Sequence, residues 1–121
     1  MKRRTLKQLR SKLKSLDHHN VYVVLLDPAV GKLRKVRTEN PKRDPKMLCV
    51  YVGPTGLTPE ERFANHKAGT KDAWVVKRYG IRLLPELYVH LNPMPYKQAK
   101  DMEVLLADSL RKRGYVVYGG H

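Results

Sequence analysis

The chain has a single cysteine, Cys49, among its 121 residues, so no intramolecular disulfide can form. Cys49 sits in the apolar run MLCVYV, where a reduced, buried thiol is expected. No stretch approaches the roughly 20 apolar residues that cross a bilayer. The basic start MKRRTLKQLRSKLKSL has no apolar core of signal-peptide length. These absences lead us to expect a soluble, cytoplasmic protein without a membrane partner. Acids are also scarce: 11 Asp and Glu stand against 25 Lys and Arg, a formal net charge of +14, and no acid precedes Asp17. Such an excess repels itself in a compact state, so a polyanionic partner is expected, nucleic acid first. No repeat, low-complexity segment or linker interrupts the chain, whose length suits one domain. A hydrophobic content of 41% is enough for a core, so disorder is not expected.

Leu6, Leu9, Leu13 and Leu16 recur at three- and four-residue steps. They predict a helix over residues 2–16 whose other faces are basic. The β-branched run VYVVLL (21–26) predicts a central strand, and DPAVG a turn. KLRKVR (32–37) reads as a charged edge strand or a surface excursion. TENPKRDP reads as loop, and MLCVYV (47–52) as a second strand. GTKDAWVVKRYG predicts a short helix ending at Gly80. Trp74, Val75 and Val76 are expected in the core, with base stacking as the alternative for Trp74. IRLLPELYVHL reads as a strand that Pro85 confines to an edge or a bulge, and His90 within it as structural. YKQAKDMEVLLADSLRKR is the best helix, closed by cations and Gly114, and YVVYGGH a last short strand. His18 and His19 point apart if extended, so they read as linker residues rather than a metal pair. The fold class expected is α+β, a small central antiparallel sheet flanked by helices.

The stretch YVGPTGLTPEERFANH (51–66) carries more than a turn needs. It is not a phosphate-binding P-loop, because its glycine spacing is wrong and it has no Lys. It is a strong helix start: Thr58 as cap, Pro59 in the first position and Glu61 closing a capping box. Glu60 and Glu61 suit the positive end of the helix dipole. Arg62 and His66 stand four residues apart and so share a face of this helix. On the later long helix, Ala99, Leu106, Ala107 and Leu110 fall within about 60° of Glu103. An acid on an apolar face is costly unless it is paired or binds a metal. Glu103 is therefore either half of a structural ion pair or a ligand for a divalent cation.

These residues resemble the GIY-YIG nuclease family. VYV (21–23), with Tyr22, is similar to the first signature element, and YVG (51–53), with Tyr51, to the second. TGLTPEERFANH is similar to the family's loop and first helix, where Arg62 and His66 stand at matching positions. Glu103 matches the family's metal-binding Glu by placement. The resemblance runs from about residue 21 to the C-terminus. It implies a basic N-terminal helix in residues 1–20, a nuclease domain over 21–121 and a basic insertion at about 28–46. That insertion, a loop or hairpin, would fill the long connection between Tyr22 and Tyr51. Many family members have an Asn near the end of the domain, and GYVVYGGH has none; Tyr118 and His121 are the nearby polar side chains.

The resemblance implies metal-dependent hydrolysis of phosphodiester bonds, usually in DNA. Glu103 would hold one Mg²⁺ or Mn²⁺ ion, and Arg62 would donate to the non-bridging oxygens. Tyr22 would act as base with Tyr51 as its partner, neighbouring cations favouring the phenolate. His66 would orient a tyrosine or relay a proton. Lys7, Arg10, Lys14, Arg34, Arg37, Lys67, Lys77 and Arg78 are the cations expected to grip the nucleic-acid backbone. The alternatives are an inactive copy of the nuclease fold and a small basic protein that only binds DNA or RNA.

Overall fold

A computed structural model describes residues 5–6, 17–69 and 74–120. The leucine-striped helix expected over 2–16 lies almost wholly outside the described residues, as do Lys7, Arg10 and Lys14. The fold is α+β. One sheet holds four strands in the order β3-β1-β2-β4, with β1 Asn20–Leu26, β2 Cys49–Thr55, β3 Gly80–Leu83 and β4 Val116–Gly119. The valine-rich β1 is central and buried, as its composition predicts.

β1 pairs antiparallel with β2 and β3, whereas β2 pairs parallel with β4. The sheet is therefore mixed rather than wholly antiparallel. The reason is the long helix that precedes β4: it carries the chain back along the sheet, so the next strand enters in the direction of β2. The register puts Tyr22 opposite Gly53, Val24 opposite Tyr51, and Tyr51 beside Tyr118. These residues share one face, because side chains alternate along a strand.

Four helices flank the sheet: α1 Arg34–Glu39, α2 Pro59–Lys67, α3 Trp74–Tyr79 and α4 Tyr96–Lys112. Helix α1 falls where a charged strand or surface excursion was expected. Leu33 and Val36 are three residues apart, so they share a side of a helix but lie on opposite faces of a strand. Val36 is fully buried, which selects the helix. The strand expected over 81–91 is only Gly80–Leu83, after which two 3-10 turns, Pro85–Leu87 and Val89–Leu91, take over. Pro85 opens the first of them. Leu84 and Tyr88, four apart, are both buried, a spacing that coiling satisfies and extension does not. His90 is exposed. Trp74 is exposed too, while its neighbours Val75 and Val76 fill the core as expected.

Two asparagines complete the sheet where strands run out. Asn40, at the end of α1, donates from Nδ2 to Val117 O at 2.9 Å and accepts from Val117 N at 2.9 Å. Asn92 does the same for Val21, accepting from its N at 2.9 Å and donating to its O at 2.7 Å. Each side chain imitates one residue of a neighbouring strand and satisfies buried backbone groups. Residues 28–46, expected as an inserted loop or hairpin, are thus built into the core through Val30, Val36 and Asn40. Among the described residues no helix is long and apolar enough to cross a membrane.

Candidate active site

The chain brings four of the five expected catalytic residues together on the tyrosine face of the sheet. Tyr22 and Tyr51 come from adjacent strands, with ring centroids 5.9 Å apart. Helix α2 begins just beyond β2, and its start is built as the sequence predicts. Thr58 accepts from Glu61 N at 3.1 Å, and Glu61 reaches back to Thr58 N at 3.3 Å. This box fixes the first turn and so aims the face that carries Arg62 and His66. His66 is fully buried, and its Nε2 lies 2.8 Å from the Tyr22 hydroxyl. The His66 ring is 6.1 Å from each tyrosine ring.

Gly53 makes this convergence possible. A Cβ there would stand 2.9 Å from Tyr51 Cε1, 3.0 Å from the Tyr22 hydroxyl and 3.1 Å from the Tyr51 hydroxyl. The two phenols thus close over the one residue that has no side chain, a role the sequence disguises as a turn glycine.

Tyr22 is 1% exposed, and burial pushes its phenol well above the ordinary value of 10.0, the charge of Tyr51 adding to the rise. Arg62 pulls the other way, through a hydrogen bond and through its charge. The cation thus acts in the expected direction, but desolvation outweighs it. Tyr22 is a neutral phenol here rather than the phenolate expected from its cationic surroundings. Tyr51 is half-buried and the more accessible of the two.

Glu103 is 9% exposed and lies on the same buried side of α4 as Ala99, Ala107 and Leu110, as the helical spacing predicts. The Gly119–Gly120 pair joins this helix to the tyrosines. A Cβ on Gly119 would touch the Tyr51 ring at 3.4 Å, and one on Gly120 would collide with Ala107 and lie 3.6 Å from the Glu103 carbonyl. Both glycines have positive φ, 99° and 79°, a region that only glycine enters freely.

Of the cations expected to grip a backbone, Lys67 has a structural task. Its ammonium donates to Lys77 O at 3.1 Å and Gly80 O at 3.0 Å, capping the end of α3. The Lys77 ammonium lies against Gly69, and the Arg78 guanidinium lies 5.4 Å from the Tyr79 ring centroid. Arg34 is exposed on α1. Arg37 stands apart, lining a 770 Å³ cavity with Leu26, Met47 and Cys49 at the other end of β1 and β2. Burial raises the Cys49 thiol, partly countered by a hydrogen bond from Gly31, which suits an inert core cysteine.

Two features escape a sequence reading. Tyr118 stacks on Tyr51 at 6.3 Å and 29°, and the Lys35 ammonium lies 5.2 Å over the Tyr118 ring. Only the parallel pairing of β2 with β4 creates these contacts. His18 and His19 do not point apart: their rings lie 4.1 Å apart, and a Cβ on Gly56 would meet the Nε2 of both, at 4.0 and 3.4 Å. Burial, then His18, lowers the His19 imidazole. No protein-family model, no curated protein and no solved structure matches this chain.

Proposed function

We propose that this chain is a divalent-metal-dependent endonuclease of the GIY-YIG type, hydrolysing phosphodiester bonds in nucleic acid, DNA in preference to RNA. The observation that carries this reading is the convergence over Gly53 of two phenols from adjacent strands with His66 and Arg62 from one helix. The net charge of +14 supports a polyanionic substrate.

Phosphodiester hydrolysis needs a water placed in line with the leaving oxygen and an offset for the charge gathering on the phosphoryl oxygens. Arg62 offers permanent charge and a fork that matches two phosphate oxygens. Tyr51, the more open phenol, meets the water. The water's proton passes to Tyr51, that of Tyr51 to Tyr22, and that of Tyr22 to His66 Nε2. The water oxygen bonds to phosphorus as the bond to the leaving oxygen breaks, and solvent protonates the leaving group. The relay explains why Tyr22 is held neutral against a buried imidazole: it hands protons on rather than storing charge.

Glu103 is the residue that would hold Mg²⁺ or Mn²⁺. Among the described residues no three His, Cys, Asp or Glu side chains gather into a metal cage. Mg²⁺ often takes only one or two carboxylates and completes its shell with waters and substrate phosphates. A single carboxylate on an apolar helix face fits that pattern. When bound, the ion supplies charge that screens the phosphate and the departing oxygen.

Tyr51→Phe and Arg62→Lys test the cluster. With labelled oligonucleotides and Mg²⁺ or Mn²⁺, cleavage by Tyr51→Phe should fall about 10²–10⁴-fold. Arg62→Lys should lose about 10²–10³-fold, with binding and circular dichroism of both variants preserved. Full activity in both variants would contradict the assignment.

A further inference from the structure

Trp74 is the only tryptophan in the chain, and it is 56% exposed. It opens α3 next to Val75 and Val76, which are fully buried, so its exposure is not that of a frayed end. Its ring meets Tyr118 edge-on at 6.4 Å and Tyr79 at 6.2 Å. Tyr118 in turn stacks on Tyr51. A row of rings therefore runs from the candidate active site to the surface and ends in an open indole. Cations flank it: Lys35 lies over Tyr118 and Arg78 over Tyr79.

Single exposed apolar residues are common and need no explanation. This one differs in being continuous with the site and bordered by positive charge. Aromatic platforms between cations suit unpaired nucleotides, because every base offers a ring face for stacking and its phosphates find the cations. Bases inside a duplex have their faces covered by their neighbours and cannot use such a platform.

We propose that Trp74 and Tyr118 form a stacking platform for an unpaired base beside the cleaved phosphodiester, which makes single-stranded DNA, or DNA with an unpaired stretch, the substrate class. The location of the cleaved bond rests on the nuclease reading; the stacking does not. Lys35 and Arg78 would take the phosphates on either side of the stacked base.

The sole tryptophan is its own reporter. Wild-type protein is titrated with a single-stranded oligothymidylate and with a blunt duplex of equal length, in chelator so that binding is read apart from cleavage. The single strand should quench Trp74 emission, and the duplex should not. By anisotropy of a labelled strand, Trp74→Ala should bind single-stranded DNA about tenfold more weakly or worse. Its duplex affinity should be unchanged, and Trp74→Phe should recover most of the loss. Absence of quenching by the single strand would overturn the inference, as would equal effects of Trp74→Ala on single strand and duplex. Metal-dependent cleavage of duplex by a protein whose Trp74 senses no strand would remove the platform and leave the nuclease standing. Quenching by single strand without cleavage of any substrate would do the reverse.

Discussion

Gly53 has the most constrained surroundings in the candidate site, since any side chain there must displace the ends of two tyrosines. Gly53→Ala should lower stability by about 1–3 kcal/mol, the usual cost of overpacking. It should cut activity more than tenfold by spreading the phenols; urea denaturation and an initial-rate assay read the two effects separately. Buried phenols also set an alkaline limit. Tyr88 is pushed up to about 12 by burial, then by Glu60 and Glu86, and Tyr22 is raised by burial above its ordinary 10.0. Above about pH 10 the unfolded chain releases phenolic protons that the folded chain keeps, so folding binds protons and stability falls as pH rises. The contribution is fully present below pH 10 and is lost as pH climbs towards 12 and beyond. The Tyr88 hydroxyl has no hydrogen-bond partner among the described residues. Tyr88→Phe should therefore be close to neutral at pH 7 and should flatten the fall in melting temperature between pH 9 and pH 12. An unchanged slope would contradict the assignment.

Local signals account for the elements that the sequence made legible. The capping box at Thr58–Glu61 and the valine run of β1 each declare themselves within a few residues, and Glu103 is read from the period of its own helix. Arg62 and His66 followed from the same helix start. The elements that escaped depend on distant partners. Helix α1 exists because Leu33 and Val36 meet a sheet edge and Asn40 clasps Val117, 77 residues away. The direction of β4, and with it the stacking of Tyr118 on Tyr51, is set by where α4 returns the chain. Trp74 was expected in the core because its apolar neighbours are there, and local composition cannot tell which residue of a short helix faces out. Asn40→Ala should cost about 3 kcal/mol, because it leaves the Val117 N–H and C=O buried without partners. Thermal melts would read this as a clear drop, whereas a change below about 0.5 kcal/mol, the scale of an ordinary surface substitution, would contradict the clamp.

On the scale of the whole molecule, charge and site point to the same partner. A net charge of +14 draws a polyanion to every face, so affinity alone says little about where chemistry occurs. The catalytic assignment instead needs one small region, Tyr22, Tyr51, Arg62, His66 and Glu103, to do what the rest of the basic surface cannot. The most direct measurement is cleavage of labelled single-stranded, duplex and branched DNA by the wild-type chain and by Glu103→Gln. Both are assayed with Mg²⁺, with Mn²⁺ and with chelator, after circular dichroism has matched the two proteins. The account predicts cleavage by the wild type that chelator abolishes and that Glu103→Gln loses while still binding. Binding by both proteins with cleavage by neither, or cleavage that Glu103→Gln retains in full, would contradict it.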